Sequence, residues 1–392
     1  MMITGFEIQN FTAFKELEVA LSPRINVIIG SNGTGKTHLL KVLYTLSNAG
    51  ELPPNAGHSN SDLEVCISER LLRLFLPAEN KISALHSGGS TARTKLRMKN
   101  SDNSRVSVSF NYNSEFARFE KDGRPTVSGP RPVFIPTKEV LSLVRGMRHP
   151  DYDRATVEMI FDDTYIDLAE LLVHPGFEDE ASSIAEDPRL SSVVRGLVDL
   201  VGGRYRWTDV GGFCFEAGSY QEKADPGRSK SKAGQIYQDS TVTHFVAKDD
   251  SSLASSMTAE GFRKIGVLHR LLCNGSINPG ATGVLLWDEP EANLNPRLIK
   301  NLVQVLLELS RNGQQIILAT HDYVLLKWFD LLMDKGKEDH VRFHVLAQDP
   351  GVRGVSIHST DDYSMLANTG IAKTFSELYD AEIERSLDGV TL

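Results

Sequence analysis

The stretch "RINVIIGSNGTGKTHLLKVL", Arg24 to Leu43, decides the fold. Its first part is a short β-branched run, the composition of a strand buried on both faces. After Gly35 the period changes: Leu39, Leu43 and Leu46 fall at i, i+4 and i+7, which is a helix. Between strand and helix, Gly30, Ser31, Asn32, Gly33, Thr34, Gly35, Lys36 and Thr37 fit G-x-x-x-x-G-K-[ST] in full. Glycines there let backbone amides curl round phosphate oxygens at a helix N-terminus. The ε-ammonium of Lys36 can reach the β- and γ-phosphates, and the Thr37 hydroxyl can ligate a metal. ATP and Mg²⁺ are therefore the expected ligands.

A second stretch, "GVLLWDEPEANLNP" (Gly283 to Pro296), drives two acids to the end of an apolar strand. Buried carboxylates are costly unless something cationic meets them. Beside a phosphate loop the cation is at hand: Asp288 is expected to serve Mg²⁺, and Glu289 to orient or deprotonate the attacking water. Successive strand residues face opposite ways, which would aim Glu289 differently from Asp288.

The rest of the chain sets the frame. Its 392 residues allow two or three lobes. A formal net charge of −9 argues against a globally basic nucleic-acid binder. Cys66, Cys214 and Cys273 are far apart with no CxxC spacing, so a reducing, cytoplasmic setting is expected. "GFEIQNFTAF" and "LEVALSP" read as strands, "LEVCISERLLRLFLP" as a helix, and "KLRMKN" and "RVSVSFNY" as a hairpin. Residues from about 150 to 200 read as helical. "RYRWTD", "GFCFEAG" and "VTHFVAK" read as a small sheet, with Gln221 to Gln235 as a polar, turn-rich loop. A helix bearing Phe262, Ile265, Leu268 and Leu272 on one face precedes the acids. After them come a helix stopped by Gly313, the strand "QQIILAT" ending near His321, and a hairpin holding His340, His344 and His358. The three histidines read as hairpin residues. The basic residues of Ala92 to Lys99, with Lys223, Arg228, Lys230 and Lys232, could touch a phosphate backbone, but the favoured reading is a solvated strand edge and a loop.

About 250 residues separate Lys36 from Asp288, so a whole lobe is inserted between them. The segment "IQNFTAFKELEVALSPRINVIIGSNGTGKTHLLKVLYTL" resembles the RecF and SMC-like branch of the ABC ATPases. "DEPEANLNP" looks like that branch's Walker B and D-loop, and "LATHD" like its switch segment, with His321 as the switch histidine. "MTAEGFRKIGVLHRLL" sits where the signature helix belongs, and "VFIPTKEVLSL" resembles the Q-loop segment. The resemblance covers both ends of the chain well and the middle loosely. It implies an α/β fold: an ABC-type P-loop ATPase head with mixed β-sheet, a β-rich lobe and a helical insert. The expected divisions are 1–145, an N-terminal ATPase lobe with a β-subdomain; 146–255, a helical and β insert; and 256–392, a C-terminal ATPase lobe. The chain departs from the pattern twice. Thr258, Ala259, Glu260 and Gly261 stand where Ser-Gly-Gly-Gln is usual, and Thr258 either substitutes for the serine or does not. No glutamine occupies the Q-loop, where Thr137, Lys138 and Glu139 are the polar candidates.

The resemblance also implies that one ATP site is built by two chains. Gly30–Thr37, Asp288, Glu289 and His321 would come from one copy. The Thr258, Glu260 and Gly261 turn and the D-loop around Asn293 would come from the other. Expected partners are thus a second copy of the chain and a separate effector protein. The compact form looks like the ATPase subunits of bacterial phage-defence systems such as PARIS, Septu and OLD-like ones. A RecF-like ATPase that clamps DNA is the alternative, and a transporter's ATPase subunit the third reading.

Overall fold

The computed structural model describes residues 2–49, 60–89, 91–122, 131–174, 190–208, 212–224, 241–348, 354–366 and 370–388. The chain opens with the hairpin β1 (Ile3–Phe11) and β2 (Phe14–Ala20), then β3 (Ile25–Gly30) and α1 (Lys36–Asn48). Next come α2 (Asn60–Phe75) and the strands β4 (Thr94–Asn100), β5 (Arg105–Phe110), β6 (Arg118–Asp122) and β7 (Val133–Ile135). Helices α3 (Val144–Met147), α4 (Arg154–Ile160), α5 (Asp163–Val173) and α6 (Ser191–Val201) lead to β8 (Gly203–Thr208), β9 (Gly212–Ala224) and β10 (Thr241–Ala254). The chain then runs through α7 (Glu260–Cys273), β11 (Leu285–Asp288), α8 (Pro296–Arg311), β12 (Ile316–Thr320) and α9 (Tyr323–Leu332). It closes with β13 (Val341–Gln348), β14 (Val355–Thr360) and α10 (Gly370–Asp388).

Among the described residues these strands form three sheets. The central one has the order β14-β13-β3-β12-β11-β7. Its strands are parallel except the edge strand β14, which pairs antiparallel with β13. Strands β3, β11 and β12 are buried along their whole length, as their mostly apolar sequences require, and the polar Asn26 inside β3 is satisfied by Ser22 and His344. Because β3, β11 and β12 are neighbours and run the same way, their C-terminal ends share one edge of the sheet. That edge is where Gly30, Asp288 and Thr320 end their strands, and it is where ligands bind in open parallel sheets.

The second sheet, β2-β1-β4-β5-β6, is antiparallel. It shares an apolar core with α1, through Phe6, Ile8, Leu96, Val108, Leu39 and Leu43. The third, β10-β9-β8, is antiparallel too, and Tyr205 and Phe213 join it to the core around α6 and α7. Its strands run longer than the sequence suggests: Gln221 to Ala224, read as loop, continue β9. Arg228, Lys230 and Lys232 lie outside the described residues. Helix α7 is buried almost all round, with every residue from Lys264 to Cys273 buried, and not on one face only. It packs against α5, α6 and β8.

Candidate functional site

The candidate phosphate-binding loop, Gly30 to Thr37, follows β3. Gly35 has φ 90°, and a Cβ there would lie 2.7 Å from the Phe14 ring, so both the dihedral and the space require glycine. Lys36 opens α1 and is buried. Its Nζ donates to Gly30 O at 2.8 Å and Ser31 O at 3.2 Å, which folds the lysine over its own loop. Burial pulls its pKa down, against the opposing pull of Glu289, Asp288 and Glu291. Thr34 is buried and donates to Ser31 O at 2.9 Å, while Ser31, Asn32 and Gly33 are exposed at the tip of the loop.

The two motifs meet across the sheet edge. Thr37 Oγ1 donates to Asp288 Oδ2 at 2.7 Å, joining residues 251 positions apart. The same oxygen accepts from Thr137 Oγ1 at 2.9 Å. The other oxygen, Asp288 Oδ1, is buried and has no hydrogen-bond partner. Burial raises the Asp288 pKa, while the two hydroxyl donors act the other way. A hydroxyl beside a carboxylate with one unsatisfied buried oxygen is a hard-oxygen donor set, which fits Mg²⁺.

Of the three Q-loop candidates, Thr137 alone reaches Asp288 through a recorded hydrogen bond. Lys138 is exposed. Glu139 is buried, accepts from Ser142 N at 3.1 Å and pairs with Arg263 Nε at 2.9 Å. Its carboxylate is thus committed to holding the start of α7.

Glu289 lies just beyond β11 with φ 47°, in the left-handed region. A backbone turn, and not strand alternation, therefore aims its side chain. Its Oε1 lies 2.9 Å from His321 Nδ1. His321 stands between β12 and the Asp322 cap of α9, whose side chain accepts from Leu325 N at 2.6 Å. Two buried groups of this region are not legible as site residues in the sequence. Lys264, on α7, is fully buried and donates to Glu289 O at 2.7 Å. Glu291 is buried, accepts from Thr320 Oγ1 at 2.6 Å, and is pushed by burial up to about 7.

The signature and D-loop residues are brought together in the same chain. A Cβ on Gly261 would lie 2.5 Å from Asn293 O, so the glycine lets the two backbones touch. Asn293 is exposed with φ 64°. Thr258 Oγ1 donates to Ser255 O at 2.7 Å and lies 2.7 Å from the Tyr205 hydroxyl, while Glu260 is half-buried in the first turn of α7.

The remaining candidates have local partners. Arg97 and Lys99 each pair with Glu7 at 3.1 and 3.2 Å. His344 Nδ1 lies 2.7 Å from Ser359 Oγ and its Nε2 3.1 Å from Asn26 Oδ1, a core histidine satisfied on both nitrogens. Among the described residues no helix is long and apolar enough to cross a membrane.

Comparison with known families gives two matches. Residues 1–122 match the "AAA ATPase domain" family, and residues 160–327 match "AAA domain, putative AbiEii toxin, Type IV TA system". The first span holds the phosphate loop; the second holds α7, Asp288, Glu289 and His321. The chain is 51% identical over 47 residues to the DNA replication and repair protein RecF of Chlamydia abortus, which is 12% of this chain and 13% of that protein. It is 37% identical over 65 residues to the RecF of Lactobacillus gasseri, 17% of this chain and 16% of that protein. The matched segment thus spans about an eighth of the length of the first of these relatives. Among solved structures it is similar to an SMC head bound to the C-winged helix domain of ScpA, at 15% identity and TM-score 0.49, covering 93% of this chain and 99% of that one. It is also similar to the SMC head domain from Thermotoga maritima, at 13% identity and TM-score 0.43, covering 92% and 100%. The two family matches, each over less than half of the chain, both describe an ATPase-type AAA domain and fall on the two spans that meet at the sheet edge.

Proposed function

We propose that the chain hydrolyses ATP and works as a switch: two copies close on ATP and part when its γ-phosphate leaves. The observation that carries this reading is the 2.7 Å bond between Thr37 and Asp288, with Asp288 Oδ1 left buried and unpartnered beside it. Residues Gly30 to Thr37 bind the phosphates, with Lys36 moving from its loop carbonyls to the β- and γ-phosphate oxygens. Thr37 and Asp288 hold Mg²⁺, whose chemistry at this place is to neutralise charge that builds on the phosphate oxygens. Thr137 keeps Asp288 oriented. Glu289 orients the attacking water and takes its proton, and His321 fixes the Glu289 carboxylate. Phosphoryl transfer needs positioning and charge stabilisation more than covalent chemistry, and these groups supply both.

On this reading the outward-facing Asn293 loop and the Thr258–Gly261 turn meet a second copy of the chain. The output is a change of assembly, which controls a separate effector protein in the cytoplasm. We place that control in phage defence; the toxin–antitoxin description of the family matched at 160–327 supports such a setting. A RecF-like role in DNA clamping is the second reading, favoured by the RecF matches. Binding of duplex DNA that weakens steeply with salt would establish it.

Lys36→Ala tests the central claim. ATP binding is expected to be lost while the fold, followed by circular dichroism, survives. Wild-type ATPase activity in that variant would refute the phosphate-loop assignment.

A further inference from the structure

Glu289 occupies a backbone region that L side chains rarely adopt, and it does so with φ 47° at the point where the proposed chemistry happens. Two main-chain contacts hold its peptide. The N–H donates to Ala319 O at 2.9 Å, and the carbonyl oxygen accepts from Lys264 Nζ at 2.7 Å. The first comes from the neighbouring strand β12. The second comes from a lysine on α7 that is 0% exposed.

A fully buried lysine is an expensive way to fill space, since a methionine of similar length would pack there without a charge to desolvate. Its neighbours compensate in part: Glu291, Glu289, Asp288 and Glu260 all favour the charged form. Its recorded hydrogen bond nevertheless goes to none of those carboxylates. It goes to a main-chain oxygen, and so it fixes a backbone position whatever side chain stands at 289.

We propose that Lys264 is a positioning residue for ATP hydrolysis. It pins the Glu289 peptide in the left-handed conformation that presents the Glu289 carboxylate to His321 and to the attacking water. This inference rests on the ATPase reading above. The hydrogen bond of Lys264 goes to the Glu289 main chain and not to the phosphate loop, Thr37 or Asp288, and with Asp288 it interacts only through charge, so its loss is expected to change the aim of Glu289 more than nucleotide binding.

The test is the steady-state ATPase activity and ATP affinity of four proteins: wild type, Lys264→Met, Glu289→Gln and the double variant. Lys264→Met should bind ATP as the wild type does, with kcat lowered about 10- to 100-fold, the cost of misplacing a catalytic group by about an ångström. Because Lys264 acts through Glu289, the double variant should be no slower than Glu289→Gln alone. Wild-type kcat in Lys264→Met overturns the proposal, and so does a double variant slowed by the product of the two single effects. Should Lys264→Met not fold, Lys264→Arg takes its place, because it keeps a cationic donor but displaces it. Lowered kcat at unchanged ATP affinity then supports the proposal, and unchanged kcat overturns it. A wild type without any turnover is a different result: it removes the ATPase reading itself.

Discussion

His321 Nδ1 lies 2.9 Å from Glu289 Oε1, so the acid one residue past β11 and the histidine one residue past β12 form a single unit. The parallel pairing of the two strands makes this possible. Asp288 is in register with Ala319, so the two strands end within one residue of each other, and the left-handed turn at Glu289 brings its side chain to His321.

Glu289→Gln should therefore bind ATP and fail to turn it over, because an amide can no longer take a proton from water. We expect kcat to fall at least about 100-fold, the usual worth of a positioned general base. With ATP and Mg²⁺ the variant should accumulate as a larger assembly in light scattering after gel filtration. His321→Ala should slow kcat less, since it removes the partner and leaves the acid. Hydrolysis by Glu289→Gln at the wild-type rate would end the role given to this residue.

Thr137→Val removes one of the two hydroxyls on Asp288 Oδ2 and keeps the side chain's shape. A group that orients a metal ligand is worth about 10- to 100-fold in metal affinity. The variant should need correspondingly more Mg²⁺ for half-maximal activity, while Lys138→Ala should not. Equal Mg²⁺ requirements in Thr137→Val and wild type would remove Thr137 from the site.

Much of this candidate site is legible in the sequence because a phosphate loop of the proposed kind demands residue types at fixed spacing. Gly30 to Thr37 and Asp288 are of that kind. The strand–helix–strand frame is legible too, because mostly apolar runs and 3.6-residue periodicity follow from burial. Three features are not. The left-handed turn at Glu289 is a backbone dihedral, and spacing does not encode it. Lys264 hides in α7 because one apolar face, Phe262 to Leu272, already explains that helix as amphipathic, whereas the structure buries it nearly all round. Glu291 reads as one more polar residue of the D-loop, and only the packing shows that Thr320 is its partner. Each of these is set by tertiary contacts between segments distant in the chain.

Gly261→Ala would set a methyl group 2.5 Å from Asn293 O, closer than real Cβ contacts come, and against main chain rather than the end of a flexible side chain. The start of α7 and the Asn293 loop must then separate. A loss of about 1–3 kcal/mol in urea unfolding is expected, the scale of overpacking at a tight contact. On the proposed two-copy site the variant should also assemble poorly with ATP. Unchanged stability would mean that the two segments move apart freely.

Glu291 gives a pH dependence whose sign is fixed. Burial pushes its pKa from 4.5 up to about 7, with the Thr320 hydroxyl opposing. Below pH 4.5 the group is protonated in both folded and unfolded chains, and its stabilising contribution is full. As pH rises through about 7 the folded chain must accept a buried carboxylate, and that contribution is lost. The loss is on the order of 1–3 kcal/mol. His269 and His344, held neutral by burial with pKa values of about 3, act in the opposite sense below pH 6.5, and do so equally in any Glu291 variant. The comparison is therefore between wild type and Glu291→Gln, by urea unfolding at about pH 5 and about pH 8. The wild type should lose more stability between the two than the variant does. Parallel pH profiles would show that Glu291 is ionised in the folded chain throughout, compensated by the buried ammonium of Lys264.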